Sequence, residues 1–152
     1  MTDNIVTGRF DRLMANQDDQ SLWGPVVSAS IVDPNWVPAS SSVASLVATD
    51  LVAVIDTGAQ NSAIDTQLAE RLHLKKSRQG TLLLHGDPQP AQGYSFIVYF
   101  NQNKKAYSLE GPSKSFRATG ASFDLILGWD FLQHYTLQIS KKAGTVVLQH
   151  EQ

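Results

Sequence analysis

The stretch that most constrains this chain is Leu51-Val52-Ala53-Val54-Ile55, which runs straight into Asp56-Thr57-Gly58-Ala59. Five aliphatic residues, three of them β-branched, read as a buried strand. Asp is disfavoured in strands and is rarely buried without partners, so an acid at the end of such a run needs a reason. Gly58 lets the backbone turn sharply or lets another backbone come close. One reason is an ordinary strand-end turn, for which Asp, Thr and Gly are suitable residues. The other is a carboxylate held out for chemistry from the end of a rigid element.

Around this stretch the chain reads as many short strands. Val26 to Val32 and Thr49 to Ile55 are strand-like, separated by the turn signal Asp33-Pro34-Asn35 and a Pro- and Ser-containing loop from Trp36 to Ser42. Asp65 is a good N-cap for a short amphipathic helix that carries Leu68, Ala69 and Leu72 on one face. Thr81 to Leu84 and Tyr94 to Phe100 are strand-like, and His85 to Gly93 between them reads as a Gly-bounded loop in which Pro88 and Pro90 bar central-strand pairing. A weaker strand is expected around Ala106 to Leu109. Phe123 to Gly128 is a second apolar run ending in glycine, with a short helix starting at Trp129 and Asp124 expected at the surface before the strand. Tyr135 to Ile139 and Thr145 to Leu148 form a hairpin. Short strands with one or two short helices predict an all-β barrel or sandwich.

Residues 1–24 are expected to be a polar, flexible or loosely docked extension, and residues 25–152 the folded domain. A chain of 152 residues, 42% hydrophobic and 17% charged, is long enough for one domain with its own core. A net charge of −2 and no basic cluster beyond Lys75-Lys76, Lys104-Lys105 and Lys141-Lys142 offer no field for nucleic acid. The absence of Cys excludes disulfides, a thiol nucleophile and thiolate metal sites. No apolar run approaches the ~20 residues of a membrane span. The polar start Met1-Thr2-Asp3-Asn4 is unlike a secretory signal, so a cytoplasmic protein is expected. His73, His85, His134 and His150 lack metal-ligand spacing and are expected to be surface or satisfied histidines. Ser62 has no Gly-x-Ser-x-Gly elbow around it. Trp23, Trp36 and Trp129 are expected as core or interface aromatics.

Two motifs together resemble the retropepsin-like aspartic proteases. The first is the strand into Asp56-Thr57-Gly58-Ala59, with Ser62, Ile64 and a helix behind it. The second, Leu125-Ile126-Leu127-Gly128-Trp129-Asp130-Phe131-Leu132, is similar to the family's apolar-apolar-Gly-x-Asp-x-Leu segment. The first motif alone arises by chance in roughly one chain of this length in a hundred, so the second at the right distance decides the resemblance. It spans roughly residues 25–150 and implies a closed, all-β acid-protease barrel with one or two short helices.

The resemblance implies an aspartic endopeptidase in which Asp56 is catalytic and Thr57, Gly58 and Ala59 support the active-site loop. Leu127, Gly128 and Asp130 would pack under the site, with Asp130 a helix-start or buried hydrogen-bonding residue. His85, Gly86, Asp87 and Gly93 would belong to a flap that closes over an extended peptide or protein substrate. Peptide hydrolysis without a covalent intermediate needs a base to activate water and an acid to protonate the leaving nitrogen, and two close carboxylates sharing a proton can do both. Aspartic proteases are the standard illustration of that shared proton. This chain has one Asp-Thr-Gly, so activity would require a homodimer that brings together Asp56 from each copy. No metal or cofactor is implied, and the activity optimum is expected below neutral pH. Viral members often carry an Asp–Arg ion pair where this chain has Gln60 and Trp129, which implies different local bracing and a different dimer closure. The alternatives are a non-catalytic module of the same fold that dimerises or binds peptides, and a precursor from which residues 1 to about 24 are trimmed.

Overall fold

The computed structural model describes residues 4–14, 22–36, 45–84 and 87–151. The strands are β1 (Ile5–Arg12), β2 (Trp23–Val32), β3 (Leu46–Ile55), β4 (Ala63–Asp65), β5 (Lys76–Leu84), β6 (Asp87–Phe100), β7 (Lys105–Lys114), β8 (Leu125–Leu127), β9 (Tyr135–Ser140) and β10 (Thr145–His150). Two short helices, α1 (Thr66–Arg71) and α2 (Trp129–Leu132), complete them. The strands form one ten-stranded sheet in the order β5-β6-β7-β4-β8-β3-β2-β1-β10-β9. A further pairing of β6 with β2, at Ser30 with Tyr99 and Ile31 with Val98, curls the sheet on itself. The expected closed barrel is thus a ring of strands, from β2 through β3, β8, β4, β7 and β6 back to β2, closed by one short contact. Most neighbours are antiparallel, but β3 runs parallel to β8 and β4 parallel to β7. No helix among the described residues is long and apolar enough to cross a membrane.

The core lies inside this ring. Val27, Ile31, Ile55, Ile64, Leu125, Leu127, Phe100 and Phe131 are among its buried members. The helix expected after Asp65 is present: the Asp65 carboxylate accepts the Leu68 N–H at 3.1 Å, and Leu68 and Ala69 are buried. Asp65 also accepts the Phe116 N–H at 2.8 Å and the Arg117 N–H at 3.2 Å, so one buried acid ties the helix start to the segment after β7. A smaller apolar cluster of Ala63, Phe116 and Ala121 joins Met14, Phe123 and Ile126 beside it.

The first twenty-odd residues are not a loose extension over β1. That strand pairs with β10 from Ile5–Gln149 to Arg9–Thr145, and with β2 from Arg9–Val26 to Arg12–Trp23. Val6 is fully buried in the main core, and a Cβ on Gly8 would collide with the Val26 carbonyl. The strand was obscured because only one of its faces meets the core. The reading of His85 to Gly93 as a loop is also corrected: residues 87–93 belong to β6 and pair with β5, Pro88 opposite Leu83 and Pro90 opposite Thr81. The other neighbour, β7, joins β6 only from Gly93 onward. Both prolines therefore sit where one edge of β6 is free, and a missing N–H there breaks no second ladder. His85, Gly86 and most of the Trp36–Ser42 loop lie outside the described residues.

Candidate active site

Asp56 stands where β3 ends. Its N–H donates to the Leu127 carbonyl at 3.0 Å, extending the parallel β3–β8 pairing by one bond past the strand. The chain then turns, and the Ala59 N–H returns to the Asp56 carbonyl at 3.2 Å. The Asp56 side chain is half-buried, and its Oδ1 accepts the Gly58 N–H at 2.9 Å. No other side-chain partner for it is found among the described residues. A Cβ on Gly58 would stand 3.2 Å from that same Oδ1, so glycine leaves room for the carboxylate.

The second motif grips the loop after Asp56 along its length. The Trp129 N–H donates to the Ala59 carbonyl at 2.9 Å and the Asp130 N–H to the Gln60 carbonyl at 3.1 Å. The Asp130 carboxylate accepts the Ser62 N–H at 2.9 Å and the Ser62 hydroxyl at 2.6 Å. Ser62, fully buried, in turn accepts the Gly128 N–H at 3.1 Å. A Cβ on Gly128 would lie 2.6 Å from the Ala59 oxygen and 2.9 Å from Asn61, closer than any side chain tolerates. Leu127, Gly128 and Asp130 thus lie directly against the Asp-Thr-Gly loop, and Ser62 is a buried bridge with no nucleophilic geometry.

Two contacts were not foreseen. The Trp129 indole N–H donates to the Thr57 carbonyl at 2.6 Å, while the residue remains 43% exposed. The signal in the sequence was the tryptophan itself, at a position flanked by loop-binding residues. Asp124 is not a free surface acid: its carboxylate accepts the Val52 N–H at 2.9 Å and forms a two-bond fork with Arg117, both at 3.0 Å. That fork raises the Arg117 pKa above its ordinary value, against the opposing effect of burial.

A cleft of about 600 Å³ opens beside Asp56. Gly58, Ala59 and Ile126 line it near the acid, and Phe116, Phe123 and Met14 line it with apolar surface. Lys114 adds a cation, and Thr81 of β5 brings the β5–β6 hairpin to its edge. Asp87 starts β6, paired with Leu84 at the end of β5. Gly93 sits at the hairpin base, opposite Ser77 and Pro112, where a Cβ would collide with the Arg78 carbonyl. No group of three or more His, Asp or Glu among the described residues is placed to hold a metal ion. Of the histidines, His134 stacks with Tyr107 and with His150 in an aromatic cluster with Phe131 and Tyr135.

A retropepsin-like aspartic protease from Rickettsia conorii superposes with a TM-score of 0.52 at 18% identity, covering 96% of this chain and 93% of that one. The EIAV protease, solved with the inhibitor HBY-793, gives a TM-score of 0.45 at 17% identity over 78% of this chain and 89% of that one. A search of curated proteins gives no match. The aspartyl protease sequence profile matches residues 46–131, more than half of the chain and both halves of the loop clamp. The chain belongs to the aspartyl protease family and has a fold similar to that of the retropepsin-like protease.

Proposed function

We propose that the protein is an aspartic endopeptidase whose active site forms when two copies bring their Asp56 carboxylates together on a twofold axis. The observation that carries this reading is the state of Asp56. It is a half-buried acid with one backbone donor among the described residues, at the edge of an apolar cleft, on a loop whose backbone is clamped from below. A structural acid in such a place would have its lone pairs filled.

Two such carboxylates sharing one proton supply both catalytic functions. The ionised one takes a proton from a water molecule as the water oxygen bonds to the peptide carbon. The protonated one gives its proton to the carbonyl oxygen as the carbon becomes tetrahedral. The first carboxyl then passes the proton it took from water to the leaving nitrogen as the C–N bond breaks. The other carboxylate takes back a hydroxyl proton as the product carboxyl forms, so the pair again holds one proton. Thr57 and Gly58 supply loop backbone beside the acid, and the β5–β6 hairpin supplies a cover for an extended peptide. The apolar lining of the cleft suits a substrate with apolar side chains around the cleaved bond.

The test is incubation of the protein with a library of unstructured peptides, read by mass spectrometry, for wild type and Asp56→Asn. Sedimentation at the same concentrations reports the assembly state. Cleavage by the wild type, absent in Asp56→Asn and falling toward alkaline pH, is the expected result. Equal cleavage by both proteins, or cleavage by a strict monomer, would overturn the dyad.

A further inference from the structure

The peptide group between Thr57 and Gly58 is held at both ends. Its carbonyl oxygen accepts the Trp129 indole N–H at 2.6 Å, and its N–H donates to Asp56 Oδ1 at 2.9 Å. The three groups form a chain: indole donor, peptide, carboxylate. Its direction is fixed, because an indole N–H can only donate and an ionised carboxylate can only accept. A hydrogen bond on a peptide oxygen draws electron density away from the nitrogen and makes the N–H at the other end a better donor, by about 10–30% per bond. We propose that Trp129 is a positioning residue that acts on Asp56 through the Thr57–Gly58 peptide, orienting the carboxylate and strengthening the hydrogen bond to its charged form. This rests on the reading of Asp56 as the catalytic acid.

Packing does not account for the ring. Trp129 is 43% exposed, so core filling is not its main contribution. Its backbone is anchored by the Trp129 N–H to Ala59 carbonyl bond and by its place at the start of α2 behind Gly128. The ring is therefore held rigidly with its donor directed at the loop. The relay also differentiates the two carboxylate oxygens: Oδ1 is occupied by Gly58, and Oδ2 accepts no hydrogen bond among the described residues.

The deciding variant carries β-(3-benzothienyl)alanine at position 129, which replaces the indole N–H with sulfur and keeps the ring shape. Trp129→Phe is a coarser companion, and 5-fluorotryptophan at the same position supplies a more acidic N–H. The first readout is the Gly58 amide resonance in protein labelled with ¹⁵N-glycine, followed through an acid titration. It should move upfield in the benzothienyl variant and downfield in the fluorinated one. The second readout is kcat and KM for a cleaved peptide as a function of pH. Without the donor, kcat should fall roughly fivefold, the scale of one modest hydrogen bond, with KM unchanged and the acid limb of the profile moved to higher pH. A purely structural ring would move neither the limb nor the amide.

An unmoved Gly58 amide in the folded benzothienyl variant overturns the relay whatever the activity. A moved amide with an unchanged pH profile overturns the positioning role. Absence of cleavage by the wild type defeats the protease reading, while the amide titration still decides whether the relay exists.

Discussion

Asp56 and Asp130 each follow an apolar strand of the same ring, and they lie on the two segments of a single hydrogen-bonded clamp. Asp130 accepts the Ser62 N–H, the Ser62 hydroxyl and the Phe131 N–H, at 2.9, 2.6 and 2.9 Å. Among the described residues the Asp56 carboxylate accepts only the Gly58 N–H, and it borders the cleft. Asp65 and Asp124 behave like Asp130, each occupied by several donors of the framework. The contrast separates two uses of one side chain. A carboxylate whose lone pairs are filled by the fold stabilises the fold, and one held rigidly with lone pairs to spare is available to a reactant.

The largest expected effects come from exchanging the same single atom pair at the two acids. Asp56→Asn should lower peptide turnover at least ~10³-fold, as removal of a working catalytic group does, with the thermal midpoint nearly unchanged. Asp130→Asn, which turns an amide N–H₂ toward Ser62 donors, should destabilise by about 3 kcal/mol in urea unfolding. If Asp56→Asn proves the more destabilising of the two, the contrast is broken. Ser62→Ala should cost about 1–2 kcal/mol, since it strands the buried Gly128 N–H and removes one bond to Asp130. Combined with Asp130→Asn it should cost less than the sum, because both act on one network, and strict additivity would show that they are independent.

The smallest effect comes from the aromatic cluster. Burial first, then Lys105 and His134, lowers the His150 pKa below its ordinary value, with Glu151 opposing. As pH falls through about 6.5 the unfolded chain takes up this proton before the folded one, so stability is complete above that pH and declines below it. Urea midpoints at pH 7.5 and 5.5 should differ less in His150→Gln than in the wild type. An unchanged difference would remove His150 as the source. The shift lies outside the loop clamp, so it should leave peptide turnover at pH 7.5 intact.

Much of this arrangement is legible along the chain, and for local reasons. Leu51 to Ile55 ends in an acid and a glycine, Asp65 precedes a three-residue apolar stripe, and Leu125 to Gly128 repeats the pattern of a strand stopped by glycine. Each signal lies within one element, where periodicity and turn chemistry suffice. Gly128 also follows from the motif, because close approach of another backbone is a demand of residue type.

What escaped reading depends on partners far away in the chain. Val6 gains its burial from β10 and β2, and with Gly8 standing between it and the partly buried Phe10 the inward face is too short to give a clear periodic signal. Pro88 and Pro90 look like strand breakers until the free edge of β6 shows that their missing N–H groups had no partner to lose. Asp124 looks exposed until Arg117 and the Val52 N–H arrive. The sequence by itself determined that an acid would stand at a strand end, with a glycine-bearing second motif to pack on it. Only the tertiary structure decided that Asp130 is spent on Ser62, that Asp56 keeps acceptor capacity, and that an indole reaches the peptide between Thr57 and Gly58. Those outcomes are allocations of hydrogen bonds among distant groups, and a residue's type states what it can donate or accept, not which partner the fold brings to it.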